Sequence, residues 1–475
     1  PLVWAQGPAA STVGEVPRRK RVSDPQLSPD GTKIAFVVTE VSLDQNTRNN
    51  DIWVVPVAGG APVKLAGTER SEDRPRWSPD GSQIAFVSNR EGGSQVWVIP
   101  AAGGEPKKLT SIATGASGVT WSPDGRWIAF VSEVFPACAD AACNERELKA
   151  RDASKVKAYL ADGLMFRHWT AWREGTYSHL FIMPADGSAA PRDLTPGASD
   201  VPPFSLGGPE DYAFSPDSKE IAFAKKTDKV EAISTNSDIF TIDITAPGAQ
   251  PKQVTTAPGA DGGPQYTPDG KYLTWRSQAR AGFEADRWVL NLLDRKTGER
   301  RALTADWDRA VDGWTFTPDS KAVYAGAEED GQGRVYRFEL AGGPPKLVLR
   351  EGTNGDVQVT PDGKTIVFSR ASLTAPAEIF RANADGSGVT AVSRFNAEFL
   401  AAFALKPAES VTFAGAGGTP VQAWVVKPNT FKEGVKYPLL YLVHGGPQGA
   451  WNDGWTYRWN AQVFSGWGYV SAWHN

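Results

Sequence analysis

The chain alternates between short apolar runs and polar turns, and one such unit recurs along most of its length. Its clearest copy reads Trp77-Ser-Pro-Asp-Gly-Ser-Gln-Ile-Ala-Phe86, in which a polar turn precedes an apolar segment. Proline presets a turn, aspartate caps it and glycine accepts a positive φ, so each copy predicts a tight turn between two antiparallel strands. The seven copies, four strong and three weaker, have their prolines at positions 29, 79, 123, 216, 268, 318 and 361.

The spacing of the copies predicts a β-propeller. The intervals between successive prolines are 50, 44, 93, 52, 50 and 43 residues, so only the third is too long, by about one repeat. Each interval holds enough alternating segments for four antiparallel strands, as in Gln95–Pro100 followed by a Gly-Gly turn. One such sheet cannot bury both of its faces alone, whereas seven arranged radially can. We therefore expect an all-β, seven-bladed propeller over residues 23–393, with residues 1–22 outside the repeat.

An insertion at 134–175 accounts for the long interval, and we expect a fourth unit to begin at His179. The insertion holds both cysteines of the chain, Cys138 and Cys143. Neither histidine nor further cysteine lies close by, so a metal site is disfavoured. A small disulfide-closed loop is the preferred interpretation and indicates an oxidising compartment, with a pair of free thiols as the alternative.

Composition and charge narrow the classes of function. The net charge of −4 and the lack of a basic stripe give no reason to expect nucleic acid. No run of 18 apolar residues occurs, so no membrane span is expected, and no spacing of metal ligands or cofactor motif appears. Residues 1–5 fit the end of a signal peptide, which favours a periplasmic or secreted protein, although a plain terminus and a cytoplasmic location stay open.

The repeat stops after Ser393, and a different pattern follows a linker at 394–408. Residues 409–475 contain new strands, and the continuous apolar run Leu439–Val443 is typical of a strand buried on both faces. This strand leads into His444-Gly445-Gly446-Pro, the pattern of the oxyanion loop of α/β-hydrolases. The two glycines leave backbone N–H groups open to an oxygen that becomes negative during acyl transfer. The alternative is an ordinary turn that needs two glycines.

Together, the propeller repeat and the His-Gly-Gly-Pro loop resemble the prolyl oligopeptidase family of serine peptidases. The segments Trp451–Asn460, Gly468–Asn475 and Arg280–Arg287, with the cysteine-bearing insertion, are similar to its acylaminoacyl-peptidase and dipeptidyl-peptidase V branch. The resemblance implies the opening part of an α/β-hydrolase domain at 409–475.

The resemblance also implies a Ser–Asp–His triad and an oxyanion bound by the Gly446 N–H, within the loop of His444 and Gly445. The sequence contains no Gly-x-Ser-x-Gly, so all three triad members are expected outside this chain, which alone should be inactive. No cofactor or metal is implied.

Long, varied loops are predicted on one face of the propeller, and acidic pairs lie in two of them. The first pair is Glu284 with Asp286, close to Arg280, and the second is Glu145 with Glu147. Such residues are candidates to bind the ammonium of a peptide substrate, the alternative being solvated loops.

We therefore expect a peptidase that removes N-terminal dipeptides, with its propeller restricting access to the site. Acylaminoacyl-peptidase or oligopeptidase activity is the alternative within the same class. A non-catalytic periplasmic propeller that binds or scaffolds other molecules is the alternative of another class.

Overall fold

The computed structural model describes Val16 and residues 18–161, 163–205, 207–446 and 448–475. The predicted signal-peptide remnant at 1–5 lies outside the described residues. The chain divides into two compact units. One comprises the residues up to Lys64 together with Asp312–Asn475, and the other is Leu65–Val311.

Twenty-eight strands form seven sheets of four antiparallel strands in succession along the chain. Sheet 1 consists of β1 (Arg21–Leu27), β2 (Lys33–Ser42), β3 (Thr47–Pro56) and β4 (Val63–Ala66). Sheet 2 consists of β5 (Glu72–Trp77), β6 (Gln83–Ser88), β7 (Gln95–Pro100) and β8 (Lys107–Lys108). Sheet 3 consists of β9 (Ser117–Trp121), β10 (Trp127–Val134), β13 (Tyr177–Pro184) and β14 (Arg192–Asp193). The insertion lies between β10 and β13. It contains helix α1 (Ala141–Ala153) and a hairpin of β11 (Arg167–His168) and β12 (Ala171–Trp172).

The next four sheets repeat the same order. Sheet 4 has β15 (Tyr212–Phe214), β16 (Glu220–Lys225), a 3-10 turn (Glu231–Ile233), β17 (Asp238–Asp243) and β18 (Lys252–Gln253). Sheet 5 has β19 (Asp261–Tyr266), β20 (Tyr272–Ser277), β21 (Val289–Asp294) and β22 (Arg300–Ala302). Sheet 6 has β23 (Trp314–Phe316), β24 (Ala322–Glu329), β25 (Gln332–Glu339) and β26 (Lys346–Leu349). Sheet 7 has β27 (Thr353–Val359), β28 (Thr365–Ser372), β29 (Ala375–Asn383) and β30 (Thr390–Ala391), and it joins sheet 6 through the bridge Gly333–Thr353.

A different order of elements follows sheet 7. Helix α2 (Ala397–Ala401) precedes a sheet formed by β31 (Glu409–Ala414), β32 (Pro420–Val426), β33 (Leu439–Leu442) and β34 (Val470–His474). A 3-10 turn (Ala416–Gly418) lies between β31 and β32, and helix α3 (Ala461–Gly466) lies between β33 and β34. The strands lie in the order β31-β32-β34-β33, and only β33 and β34 are parallel.

The core lies between neighbouring sheets within each unit. In the second unit, apolar residues of sheets 2 and 3, 3 and 4, and 4 and 5 form three successive clusters. In the first unit, sheet 6 packs on sheet 7, and sheet 7 packs on sheet 1 through Val367 and Ile379 against Phe36. The central strands supply most of these residues because both of their faces are covered, as in Ile84-Ala85-Phe86, each 0% exposed.

The repeated turn is fixed by a small hydrogen-bond network. In sheet 2, Ser78 Oγ donates to Asp80 Oδ1 at 2.5 Å and accepts from the backbone N of Gln83 at 2.9 Å. The same hydroxyl–aspartate bond, from serine or threonine, recurs at 2.6 Å in the other six turns. The Ser78 hydroxyl and neighbouring backbone bonds hold the pKa of Asp80 below its usual value.

Glycine follows the aspartate in five copies because the position has φ near 70°, as at Gly81 with 71°. Ser218 and Ser320 adopt the same left-handed conformation in the two copies that lack glycine, with φ of 58° and 56°. The sequence motif is therefore a turn with a fixed hydrogen-bond pattern.

One expectation from the repeat was wrong. The strand that contains His179 does not begin a fourth unit: it is β13, and it pairs along its whole length with β10 in sheet 3. The insertion thus interrupts sheet 3 between its second and third strands, and sheet 4 begins at Tyr212. The spacing of turn motifs locates an insertion between two motifs but does not show which strands it separates.

His179 is buried, being 2% exposed, and both ring nitrogens face acceptors. Nδ1 lies 2.7 Å from Asp193 Oδ2, and Nε2 lies 2.8 Å from the carbonyl oxygen of Gly197. Burial acts to lower the pKa of His179, but the hydrogen bond and charge of Asp193 outweigh burial and raise the pKa above its usual value. The ring therefore ties β13 to β14 and to the loop that follows it.

We predict that replacing Ser78 with alanine lowers the free energy of unfolding by about 1–2 kcal/mol, because Asp80 and the Gln83 amide each lose a buried partner. Denaturant unfolding of the chain measures the effect. Ser94→Ala is the matched control, since Ser94 is exposed. Equal stability of the two variants would contradict the role of the turn network.

A second prediction concerns pH. Because the folded-state pKa of His179 is raised, its stabilising contribution is present below the unfolded-state pKa and is lost as pH rises through the folded-state value. The stability difference between the wild type and His179→Gln should therefore shrink as pH rises from below the unfolded-state pKa, about 6.5, through the folded-state pKa. Urea unfolding at intervals across this range tests it, and a difference that is constant with pH would refute the charged state of His179.

Candidate active site

The candidate oxyanion loop lies at the carboxyl end of a parallel strand pair. Strands β33 and β34 run parallel, with Leu439 opposite Val470 and Leu442 opposite Trp473. The connection between them consists of a loop at 443–460 and helix α3, capped by the Asn460 side chain, which accepts from the Gln462 amide. Parallel strands present their carboxyl ends at one edge, where α/β proteins place their sites. His444, Gly445 and Gly446 follow β33, and the end of β34 lies beside them.

Gly446 has a backbone conformation that excludes a side chain. Its φ is 138°, and a Cβ there would lie 2.0 Å from the carbonyl oxygen of Gln448. A Cβ on Gly445 would meet no atom within 4 Å. Both glycines are exposed, and no acceptor for either N–H occurs among the residues that the structure describes. The geometry accordingly leaves the Gly446 amide open to an external oxygen.

Three ring side chains surround the loop. The rings of Tyr441 and His474 stack with centroids 5.4 Å apart, and the Tyr441 hydroxyl contacts His474 Nδ1. The His444 ring lies 6.2 Å from that of His474, and its Nδ1 lies 3.1 Å from the carbonyl oxygen of Gly445. His474, to which no sequence motif assigned a role, therefore stands next to the loop.

The far end of the loop is anchored by residues that the sequence motif did not identify. The backbone N of Trp451 donates to Asn475 Oδ1 at 2.5 Å, and its carbonyl oxygen accepts from Trp424 Nε1 at 2.9 Å. Trp424 and Trp473 belong to the apolar cluster beneath, where Trp473 is 2% exposed. The available signal was the density of tryptophan after the glycines, which is typical of packing as well as of binding.

The carboxylates of the two predicted acidic pairs have different hydrogen-bond and ion-pair partners. Asp286 Oδ2 accepts from the backbone N of Ala279 and of Arg280, each at 2.8 Å, so this carboxylate closes its own loop. The Arg280 guanidinium lies over the Phe283 ring, 4.0 Å from its centroid. Glu284 is exposed, and no ion pair involves it among the described residues.

The second pair lies on the exposed surface of α1. Glu145 forms an ion pair with Lys149 at 2.6 Å, and the Lys149 ammonium lowers the pKa of this carboxyl. Glu147 is exposed, with no partner among the described residues. Close to the start of α1, Cys138 and Cys143 form a disulfide with their Cα atoms 5.3 Å apart. Asp140 caps the helix by accepting from the Cys143 amide at 2.7 Å.

A cavity of about 450 Å³ lies in the second unit, between the insertion and the loops that follow β14 and β16. Arg173 lines it and forms ion pairs with Asp200 at 2.7 Å and Glu231 at 3.1 Å. Burial raises the pKa of the Asp200 carboxyl, although Arg173 opposes this shift. No sequence motif marked these residues, because their partners come from three separate loops.

Lys226 connects this cavity to the loop of Glu284. Burial lowers the pKa of the Lys226 ammonium, while the carboxylates of Glu231, Asp228 and Glu284 act in the opposite direction. The backbone N of Gly282 donates to Thr235 Oγ1 at 2.9 Å, so the two loops are in direct contact. Glu284 therefore lies in the electrostatic environment of the cavity.

Neither a metal centre nor a membrane-spanning helix is found in the part of the chain that the structure describes. Within the described ranges, no group of three or more histidine, cysteine, aspartate or glutamate side chains is arranged to hold a metal ion. In the same part of the chain, no helix has the length and apolarity to cross a membrane.

Comparison with known proteins assigns the fold. The family model of the Tricorn protease N-terminal β-propeller domain matches residues 46–209. Dipeptidyl-peptidase 5 of Porphyromonas gingivalis is 32% identical over 95% of this chain and 65% of its own length, and that of Porphyromonas endodontalis is 30% identical over 95% and 64%. The structure of the Pyrococcus horikoshii acylaminoacyl peptidase superposes with a TM-score of 0.75 at 17% identity, covering 98% of this chain and 66% of that one.

These similarities confirm the predicted fold class, a seven-bladed β-propeller followed by part of an α/β-hydrolase domain. They also confirm the predicted resemblance to the prolyl oligopeptidase family and to its acylaminoacyl-peptidase and dipeptidyl-peptidase V branch. The chain spans about 65% of the length of the two Porphyromonas relatives.

We predict that Gly446→Ala lowers the rate constant of peptide hydrolysis by the full-length protein about 100-fold or more, because relief of the clash with Gln448 must move the amide. Gly445→Ala is the matched control and should stay within about threefold of the wild type, since its Cβ meets open space. Steady-state kinetics on a chromogenic peptide measures both. Equal activity of the two folded variants would exclude Gly446 as the oxyanion donor.

Proposed function

We propose that the full-length protein is a serine peptidase that hydrolyses short peptides through an acyl-enzyme and releases N-terminal dipeptides. The observation that carries the proposal is the exposed Gly446 amide at the carboxyl end of β33, in a conformation reserved for glycine. A backbone donor at this position suits the negatively charged oxygen of a tetrahedral intermediate. The dipeptidyl-peptidase 5 relatives favour release of dipeptides.

In this proposal, the catalytic roles would divide between this chain and residues that lie outside it. Gly446 would supply one oxyanion donor, held by the loop of His444 and Gly445, and the amide after the nucleophilic serine would supply the second. The serine, aspartate and histidine of the triad would come from outside the 475 residues, which contain no Gly-x-Ser-x-Gly. The chain alone would then be inactive. The propeller would restrict entry to short or unfolded peptides.

For substrate binding we favour Glu284 as the anchor of the peptide ammonium. Asp286 is committed to two backbone amides and Glu145 to Lys149, whereas the Glu284 carboxylate is exposed and near the cavity residue Lys226. A carboxylate that pairs with an ammonium favours a free N-terminus over an acylated one. The Arg280 guanidinium stacks on the Phe283 ring, and no ion pair between Arg280 and Glu284 occurs among the described residues.

An exported location accords with this proposal. The disulfide of Cys138 and Cys143 persists in oxidising compartments, and a periplasmic or secreted peptidase would encounter free peptides there. Acylaminoacyl-peptidase activity is the second candidate, favoured by the fold of the Pyrococcus horikoshii enzyme.

The test compares an unblocked dipeptidyl chromogenic substrate with its N-acetylated counterpart on the full-length protein. We expect faster cleavage of the unblocked peptide, and Glu284→Gln should reduce that preference about 10-fold or more, since one charge-assisted bond is lost. Glu105→Gln, at an exposed acid between β7 and β8, is the control and should leave the preference unchanged. Equal or faster cleavage of the acetylated peptide would contradict dipeptidyl-peptidase activity, and hydrolysis of neither would contradict the proposed function.

A further inference from the structure

The loop that begins with the oxyanion glycines is held at its far end by the propeller sheets. We call residues 451–457 of this loop the docking segment. It contacts sheets 6 and 7 and the N-terminal segment before β1, all in the first compact unit. Only six residues lie between Gly446 and Asp453, the central residue of these contacts.

Asp453 forms three hydrogen bonds to three different parts of the propeller sheets. Its backbone N donates to the carbonyl oxygen of Gly331, in the turn between β24 and β25, at 2.6 Å. Its Oδ1 accepts from the backbone N of Leu373, in the turn between β28 and β29, at 2.7 Å. Its carbonyl oxygen accepts from Thr353 Oγ1, at the start of β27, at 2.8 Å. One residue thus joins sheets 6 and 7 to the loop.

Two glycines lie at this contact, one in the docking segment and one in the turn that the segment meets. A Cβ on Gly454 would lie 3.1 Å from Thr353 Oγ1. A Cβ on Gly331, whose φ is 69°, would lie 2.6 Å from Trp424 Nε1. A side chain at Gly331 would be strained in φ and would displace the Trp424 ring, so this turn packs closely only with glycine.

Aromatic contacts hold the other end of the docking segment. The Arg19 guanidinium is buried, with its Cζ 4.9 Å from the centroid of the Trp455 ring and 4.4 Å from that of Phe399. The Arg21 Cζ lies 4.1 Å from the centroid of the Tyr457 ring. Desolvated cation–π contacts of this kind are among the stronger ones. The segment is therefore fixed at both ends of its length.

We propose that Asp453 is a positioning residue, through which sheets 6 and 7 of the propeller hold the oxyanion loop in its working geometry. The proposal rests on the function proposed above and assigns the propeller a part in transition-state stabilisation in addition to substrate access. Strand β33 holds one end of the loop by pairing with β34, and the docking segment holds the other end, so release of Asp453 loosens the loop that carries Gly446.

The hydrogen-bonding capacity of Asp453, rather than its charge, carries this role. The side chain accepts from one neutral backbone amide, and burial raises the pKa of its carboxyl above the usual value. A raised carboxyl pKa means that the ionised form is disfavoured by folding. Asparagine keeps an acceptor in the same place without the buried charge, so it should replace aspartate with little loss.

The experiment uses the full-length protein with Asp453→Ala, Asp453→Asn and Thr353→Val, and Glu433→Ala as the control at an exposed acid of the C-terminal part. Peptide hydrolysis gives kcat and KM, and inhibition by a peptide boronic acid reports binding of a tetrahedral adduct. We expect Asp453→Ala to lower kcat and boronate affinity in parallel, about 10- to 100-fold, with KM within about threefold. Thr353→Val should lower kcat and boronate affinity about 3- to 10-fold. Asp453→Asn and the Glu433→Ala control should have the kcat and boronate affinity of the wild type.

A readout that needs no activity separates this proposal from the proposed function. Limited cleavage by an added protease within residues 443–450, located by mass spectrometry, should be faster in folded Asp453→Ala and unchanged in Asp453→Asn. Unchanged cleavage in Asp453→Ala, or an unchanged kcat in that variant, would overturn the positioning role. If Asp453→Asn lowers kcat as much as Asp453→Ala does, the hydrogen bond accepted by Asp453 is not what holds the loop. If the wild type does not hydrolyse peptides, but the added protease still cleaves its loop more slowly than that of Asp453→Ala, the proposed function is contradicted and the positioning role is supported.

Discussion

Burial of both faces of each four-stranded sheet is the constraint on which the rest of this structure depends. The central strands are apolar on both sides, as the fully buried Phe36, Phe86, Phe130, Phe223 and Phe368 show. No sheet can cover itself, so each face requires a neighbouring sheet, and in the first unit sheet 7 covers sheet 1. The packing of the last sheet on the first brings the two ends of the repeat together, and with them the N-terminal segment and the residues that follow sheet 7.

The packing of these sheets also holds the candidate site in place. Residues 19–21 lead directly into β1 and contact Trp455 and Tyr457, while the turns of sheets 6 and 7 contact Asp453. The strand pair β33 and β34 supplies the edge at which the glycines stand, and Trp451 is bonded to the end of β34. A loop that carries an oxyanion donor must be held to a fraction of an ångström, and two independent sets of contacts achieve this more readily than one.

The parts of the fold that are encoded locally could be predicted from the sequence. Serine or threonine, proline and aspartate in succession define a turn whose hydrogen bonds close within six residues, and the turn appears in all seven sheets. The glycine pair after an apolar strand likewise marks a local conformation. His179 was assigned to the wrong sheet because strand pairing is a long-range property, and a motif count does not contain it.

The site residues that the sequence missed share that long-range character. Asp453 meets Leu373 and Thr353 at separations of 80 and 100 residues, and nothing in its own neighbourhood marks it. Asp286 was instead predicted as a binding residue from its position beside another acid. Its carboxylate accepts hydrogen bonds from two backbone amides of its own loop and so closes that loop. Acid pairs in a loop do not by themselves distinguish a ligand site from a loop cap.

The central claim is that the Gly446 amide faces the oxygen that becomes negative during hydrolysis. The most direct measurement is a crystal structure of the full-length protein with a peptide boronic acid bound covalently. The account predicts a boronate oxygen about 3 Å from the Gly446 nitrogen, with Asp453 still bonded to the Leu373 amide. A boronate oxygen that contacts other donors, with the Gly446 N–H turned away from it, would contradict the account.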